Sequence, residues 1–145
     1  MIRANRWLRI SSVITVSTLS VGCATVGGTL TSTEDSPATR GRALTTNDGV
    51  FTEEQAARGK RVYDTYCFNC HPAQFYEARL PMWANTSVDR LFDAMSSTMP
   101  EENPGVLSTG EYLDVLAYIF SITGSPTGDT ELTTSNIGTI AIVIE

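Results

Sequence analysis

The sequence predicts an all-α fold, a small domain of about three to five helices with an extended tether before it and an extended tail after it. Three observations predict it. Apolar residues recur at helical spacing in three separate stretches, at Ala56 to Tyr66, Val88 to Met95 and Tyr112 to Phe120. The first and last of these open on helix-capping chemistry: Thr52 before Glu53, Glu54 and Gln55, and Ser108 or Thr109 before Glu111. The ends of the chain carry no helical period. With 145 residues the chain supports one compact domain. Its net charge of −6 excludes a nucleic-acid partner, whose phosphates need clustered Lys and Arg. An acidic domain is steered toward a basic face on its partner.

Residues 1–22 read as a signal peptide. Arg3, Arg6 and Arg9 stand without an acid, and Ile10 to Gly22 contains only Ile, Val, Leu, Ser, Thr and Gly. That apolar run falls short of the ~20 residues needed to span a bilayer. Leu19-Ser20-Val21-Gly22-Cys23 resembles a bacterial lipobox, with Ser20 where the motif usually carries Leu. The resemblance implies that Cys23 is lipidated and anchors an exported, periplasmic protein to a membrane; a nearby cleavage without lipid is the alternative. Residues 23–50 are rich in Gly, Thr, Ser, Pro and Asp and are expected to form a flexible tether.

The domain proper is expected over 51–125. The first helix, capped by Thr52 with Gln55 completing a capping box, runs to Tyr66. Gly59 inside it costs ~1 kcal/mol relative to Ala, so close approach of another helix is expected there. Val88, Leu91, Phe92 and Met95 mark a second apolar stripe. In the last helix Tyr112, Val115, Leu116, Ile119 and Phe120 form the buried face, and Gly124 and Pro126 end it. Residues 126–145 are expected to be an extended tail. There Ile140, Ile142 and Ile144 alternate as in a short strand, which either lies along the domain or adds to a partner's sheet edge.

Chemistry concentrates in five residues, Cys67-Phe68-Asn69-Cys70-His71. C-x-x-C-H is the spacing of covalent haem attachment: two thiols one turn apart each add across a porphyrin vinyl group, and the adjacent imidazole becomes the proximal iron ligand. A thioredoxin-like pair does not call for this His and lacks its βαβ context. A structural zinc would need a fourth ligand, for which Cys23 is the only cysteine left. His71 is the single histidine, which excludes any site built on two imidazoles.

From here the chain resembles the c-type cytochromes, specifically the small monohaem class I fold, over about residues 51 to 125. The likeness rests on Gly59 and Tyr63 ahead of Cys67, Cys70 and His71, on Met99-Pro100, and on Leu116-Ala117-Tyr118-Ile119. It implies one covalent haem c, and a crossing of first and last helices at Gly59, Tyr63, Val115 and Tyr118. The distal ligand is then sought among Met82, Met95 and Met99. Met95 belongs to the apolar stripe, and Met82 follows His71 too closely. Met99 lies beyond the helix beside Pro100, which favours an extended backbone at the preceding residue. Met99 is the expected ligand; the alternative is that all three methionines pack around an open iron. Phe68, Phe75, Leu80, Trp83, Leu91 and Phe92 are expected to pack around the haem. Trp83, Ser97 or Thr98 are candidates to bond a propionate, and Pro72 or Pro81 to accept from the His71 ring.

A His/Met-ligated haem has no free site, and so implies an electron carrier rather than an enzyme. The run Ser97-Thr98-Met99-Pro100, with Pro104-Gly105, Leu107-Ser108 and Glu131-Leu132, resembles cytochromes associated with quinoprotein alcohol dehydrogenases. That likeness implies a dehydrogenase donor and an oxidase or cytochrome acceptor. Two alternatives remain: a five-coordinate haem protein binding a small gas or peroxide, and a fixed haem subunit of a larger dehydrogenase or oxidase.

Overall fold

The computed structural model describes residues 42–144, so the signal peptide and Cys23 lie outside the described residues. It is mostly helical. A two-residue strand β1 (Leu44–Thr45) and a 3-10 turn (Thr46–Asp48) precede α1 (Glu53–Tyr66). Then come α2 (Ala73–Arg79), a 3-10 turn (Leu80–Trp83), α3 (Val88–Thr98) and α4 (Thr109–Ile122). A last 3-10 turn (Ile137–Thr139) leads into β2 (Ile140–Ala141). Among the described residues no helix is long and apolar enough to cross a membrane.

The frame is the crossing of α1 and α4, and it sits where Gly59 and Tyr63 place it. A Cβ added at Gly59 would lie 1.8 Å from the Asp114 carbonyl oxygen and 2.9 Å from the Val115 nitrogen, so the two backbones touch. Only glycine allows that approach. One turn further on, the Tyr63 and Tyr118 rings meet with centroids 4.9 Å apart. The residue before Gly59, Arg58, forks onto the Asp114 carboxylate at 3.0 and 2.9 Å. Thr52 caps α1 by accepting from the Gln55 N–H at 3.0 Å. Ser108 caps α4, with Glu111 accepting from the Ser108 N–H at 2.8 Å. The expected capping box at α1 is not formed. The Gln55 side chain instead holds the backbone of Leu132, donating to its carbonyl at 3.0 Å and accepting from its N–H at 2.8 Å.

Both flanking segments prove to belong to the domain, which corrects the tether and tail boundaries. Thr46, Val50 and Phe51 are buried on one side, and Leu132, Ile137, Ile140 and Ile142 on the other. The segments meet as a parallel pair, Leu44 opposite Ile140 and Thr45 opposite Ala141. The Thr46 hydroxyl donates to the Val143 carbonyl at 3.1 Å and accepts from its N–H at 3.0 Å. On the far side of β2, Ile142 donates to the Thr86 carbonyl at 2.8 Å and accepts from Asn85 at 2.9 Å. The alternation in the tail is real, with Ile140 and Ile142 inward and Ile144 exposed. Nearer its start, Gly128 donates to the Phe51 carbonyl at 2.7 Å, and a Cβ there would sit 1.9 Å from the Gly49 carbonyl oxygen. The tail therefore crosses the N-terminal segment as closely as α4 crosses α1. Phe51 packs on Phe120 with centroids 6.4 Å apart, and fully burying each such side chain is worth roughly 1.5–3 kcal/mol.

Candidate cofactor cavity

The chain leaves α1 in a tight turn. Cys67 donates its N–H to the Tyr63 carbonyl at 2.9 Å, and the Cys67 carbonyl then accepts from Cys70 at 3.2 Å and His71 at 2.9 Å. This winding puts Cys67, Cys70 and His71 on one wall of a cavity of about 340 Å³. The volume lies in the range of small-molecule and cofactor sites. Tyr76 and Leu80 line it from α2 and the turn that follows, Leu91 and Met95 from α3, and Tyr112, Val115 and Ile119 from α4. Arg79, Glu101 and Glu102 are the charged residues on the wall, and all three are exposed. The remainder is mainly aromatic, aliphatic or sulfur-bearing.

His71 is held firmly and left chemically free. Its backbone carbonyl accepts from the Tyr63 hydroxyl. Its ring lies against Phe75, centroids 4.3 Å apart, and against Tyr76 at 6.1 Å. Nδ1 is buried and has no hydrogen-bond partner. A buried polar atom left unpaired costs about 1–3 kcal/mol. Neither proline carbonyl serves it, contrary to expectation: that of Pro72 takes the Phe75 N–H at 2.8 Å, and that of Pro81 the Ala84 N–H at 3.2 Å. Burial also pushes the Cys67 thiol up to about 11 and raises the Tyr76 phenol above its ordinary value. Cys70 is exposed.

All three methionines reach the same cavity. Met82 is 72% exposed, with the Arg79 guanidinium 4.0 Å from its sulfur. Met95 packs on the core from within α3. Met99 is the residue that ends α3, in extended conformation at φ −126° and ψ 151°. Its N–H donates to Met95 at 2.9 Å, and its carbonyl accepts from the Tyr112 hydroxyl at 2.6 Å.

Other expected site residues divide. Trp83, Phe75, Leu80 and Leu91 line the cavity. Phe68 does not: it is 54% exposed, because the tight turn that brings in both cysteines swings the residue between them outward. Phe92 is edge-on to Tyr112 at 6.3 Å and is not part of the lining. The Ser97 and Thr98 hydroxyls donate within α3, to the Asp93 carbonyl at 2.6 Å and the Ala94 carbonyl at 2.7 Å. Tyr76 and the helical form of α2 were not expected from the sequence, although Phe75 within it was. Pro72 ahead of Ala73 was the available signal of a helix start.

The cavity wall thus carries an imidazole, two thiols and thioether sulfurs among mainly apolar side chains. Among the described residues no three His, Cys, Asp or Glu side chains are grouped to hold a bare metal ion. No family model, curated protein or solved structure matches the chain.

Proposed function

We propose that this protein is a class I-type c-type cytochrome, an exported electron carrier and not itself an enzyme. The observation that carries the reading is His71. Its ring stands on an apolar cavity wall beside Cys67 and Cys70, and the sulfur-bearing Met99 lines the same cavity. Cys67 and Cys70 would hold one haem c through thioethers, with His71 and Met99 as its ligands. Met99 is preferred to Met95 and Met82 because its backbone is extended and tied by Tyr112, whereas Met95 packs on the core and Met82 is largely exposed. Bound there, the haem iron would supply a one-electron couple. Phe75, Leu80, Leu91, Val115 and Ile119 line the cavity and would shield such a haem from water. A thioether ligand favours a high potential and occupies the position a substrate would need.

The exported setting, the membrane anchor at Cys23 and the redox partners belong to the same proposal. The donor would be an exported dehydrogenase, of the quinoprotein alcohol dehydrogenase kind, and the acceptor a cytochrome or oxidase of a respiratory chain. Mass spectrometry and optical spectroscopy of the purified native protein test it. A pigment that resists acidified organic solvent, a low-spin ferric spectrum with the sulfur-to-iron charge-transfer band, and an added diacylglyceryl mass are expected. A colourless protein, or a high-spin spectrum that shifts on adding azide, would overturn the carrier reading.

A further inference from the structure

Tyr112 is 3% exposed, and its hydroxyl donates at 2.6 Å to the backbone carbonyl of Met99. That carbonyl also accepts from Gly105 at a longer 3.4 Å. Met99 is the last residue tied to α3, through its N–H to Met95 at 2.9 Å, and the chain leaves the helix there in extended form. Met99 lines the cavity while its peptide is anchored to a different helix, α4, through Tyr112. The ring of Tyr112 is set in turn by Phe92, edge-on at 6.3 Å. We propose that Tyr112 is a positioning residue that fixes the Met99 thioether in the cavity and so regulates how readily an added ligand displaces it. The inference rests on the reading of Met99 as an iron ligand.

The physical argument is one of population. Without the hydroxyl, the Met99 peptide keeps the long bond from Gly105 and its own N–H bond to Met95. A state with the thioether withdrawn then becomes more accessible. A hydrogen bond of ordinary net strength corresponds to a ~2- to 12-fold change in such an equilibrium. Tyr63 holds the carbonyl of His71 in a parallel way on the other side of the cavity, so the two proposed ligand residues are each tied through a peptide to a tyrosine of the crossing helices.

Tyr112→Phe keeps the ring and removes only the donor. In full-length ferric holoprotein, imidazole should displace the thioether at ~2- to 12-fold lower concentration than in wild type. The displacement is read from loss of the sulfur-to-iron charge-transfer band, with far-UV circular dichroism unchanged. A merely structural tyrosine would lower the unfolding midpoint and leave the imidazole titration where it was; that result overturns the proposal. Should Tyr112→Phe fold poorly, Phe92→Leu, which loosens the ring and leaves the hydroxyl, should shift the same titration in the same direction. An unchanged titration there overturns it equally. Absence of the band in wild type is a different failure, since it removes Met99 from the iron and with it the proposed function.

Discussion

Gly59→Ala should destabilise the domain, although helix propensity alone says the opposite. In an exposed helix the change would gain ~1 kcal/mol. Here the new Cβ would stand 1.8 Å from the Asp114 carbonyl oxygen and 2.4 Å from its carbon, where ordinary contact begins at 3.4 Å. The obstacle is backbone in the middle of α4, so no side-chain rotation relieves it. The helices must part by more than an ångström, which also disturbs the Tyr63–Tyr118 contact and the Arg58–Asp114 fork. Overpacking of this kind costs about 1–3 kcal/mol or more, and an immovable neighbour puts it at the upper end. The net loss is then roughly 2 kcal/mol, a fall in Tm of about 8–16 °C for a domain of this size. Thermal unfolding followed by circular dichroism, wild type against variant, measures it directly. A Gly59→Ala protein as stable as wild type, or more stable, would refute the contact on which the α1–α4 frame depends.

Gln55→Ala should cost more than Arg58→Ala, by about 2 kcal/mol or more against ~1 kcal/mol or less. The first orphans two buried backbone groups of Leu132, while the Arg58 pairs with Asp114 and Glu131 are part-exposed; denaturant titration should give that order. Glu111 is held below its ordinary 4.5 by accepting from the Ser108 backbone and hydroxyl. A depressed carboxylate contributes stability at neutral pH that is lost as pH falls below 4.5 and through the folded value, so wild type should lose stability relative to Glu111→Gln on acidification; parallel pH–stability curves would contradict this. Met99→Ala should abolish the sulfur-to-iron band of the holoprotein, while Met95→Leu should leave it, with optical spectra deciding.

Much of the frame was legible because its signals are local. Gly59 in a helix announced a close approach, the resemblance to c-type cytochromes put Tyr63 and Tyr118 at it, and Pro100 marked the end of α3 at Met99. Cys67, Cys70 and His71 reach one cavity wall because a single turn suffices to gather them. The misjudged parts depend on partners far along the chain. Leu44 to Val50 is too short to show a period, and its order comes from Thr46 bonding Val143, 97 positions away. Gln55 looked like a capping residue because local geometry allows it; the buried peptide at Leu132 is a stronger claim on its amide, since no water reaches that group. Phe68 looked like haem packing by composition, but a turn tight enough to bring two thiols inward must send an intervening side chain out.

The same geometry explains why the candidate site sits where it does. His71 lies just beyond the end of α1 and Met99 at the end of α3, positions that would be loosely held if each helix simply stopped. Each is instead tied through its own carbonyl to a tyrosine on α1 or α4, the two helices whose backbones touch at Gly59. The cavity walls thus hang from the part of the domain with least freedom to move apart. If the proposed haem is bound here, a carrier that takes and releases charge with little change of geometry would need its ligands supported by rigid elements, and the two tyrosine bonds would supply that support. The clamps and the proposed electron transfer are therefore one argument: if the helix crossing loosens, as Gly59→Ala would make it, spectroscopic signs of thioether ligation should weaken before the domain unfolds.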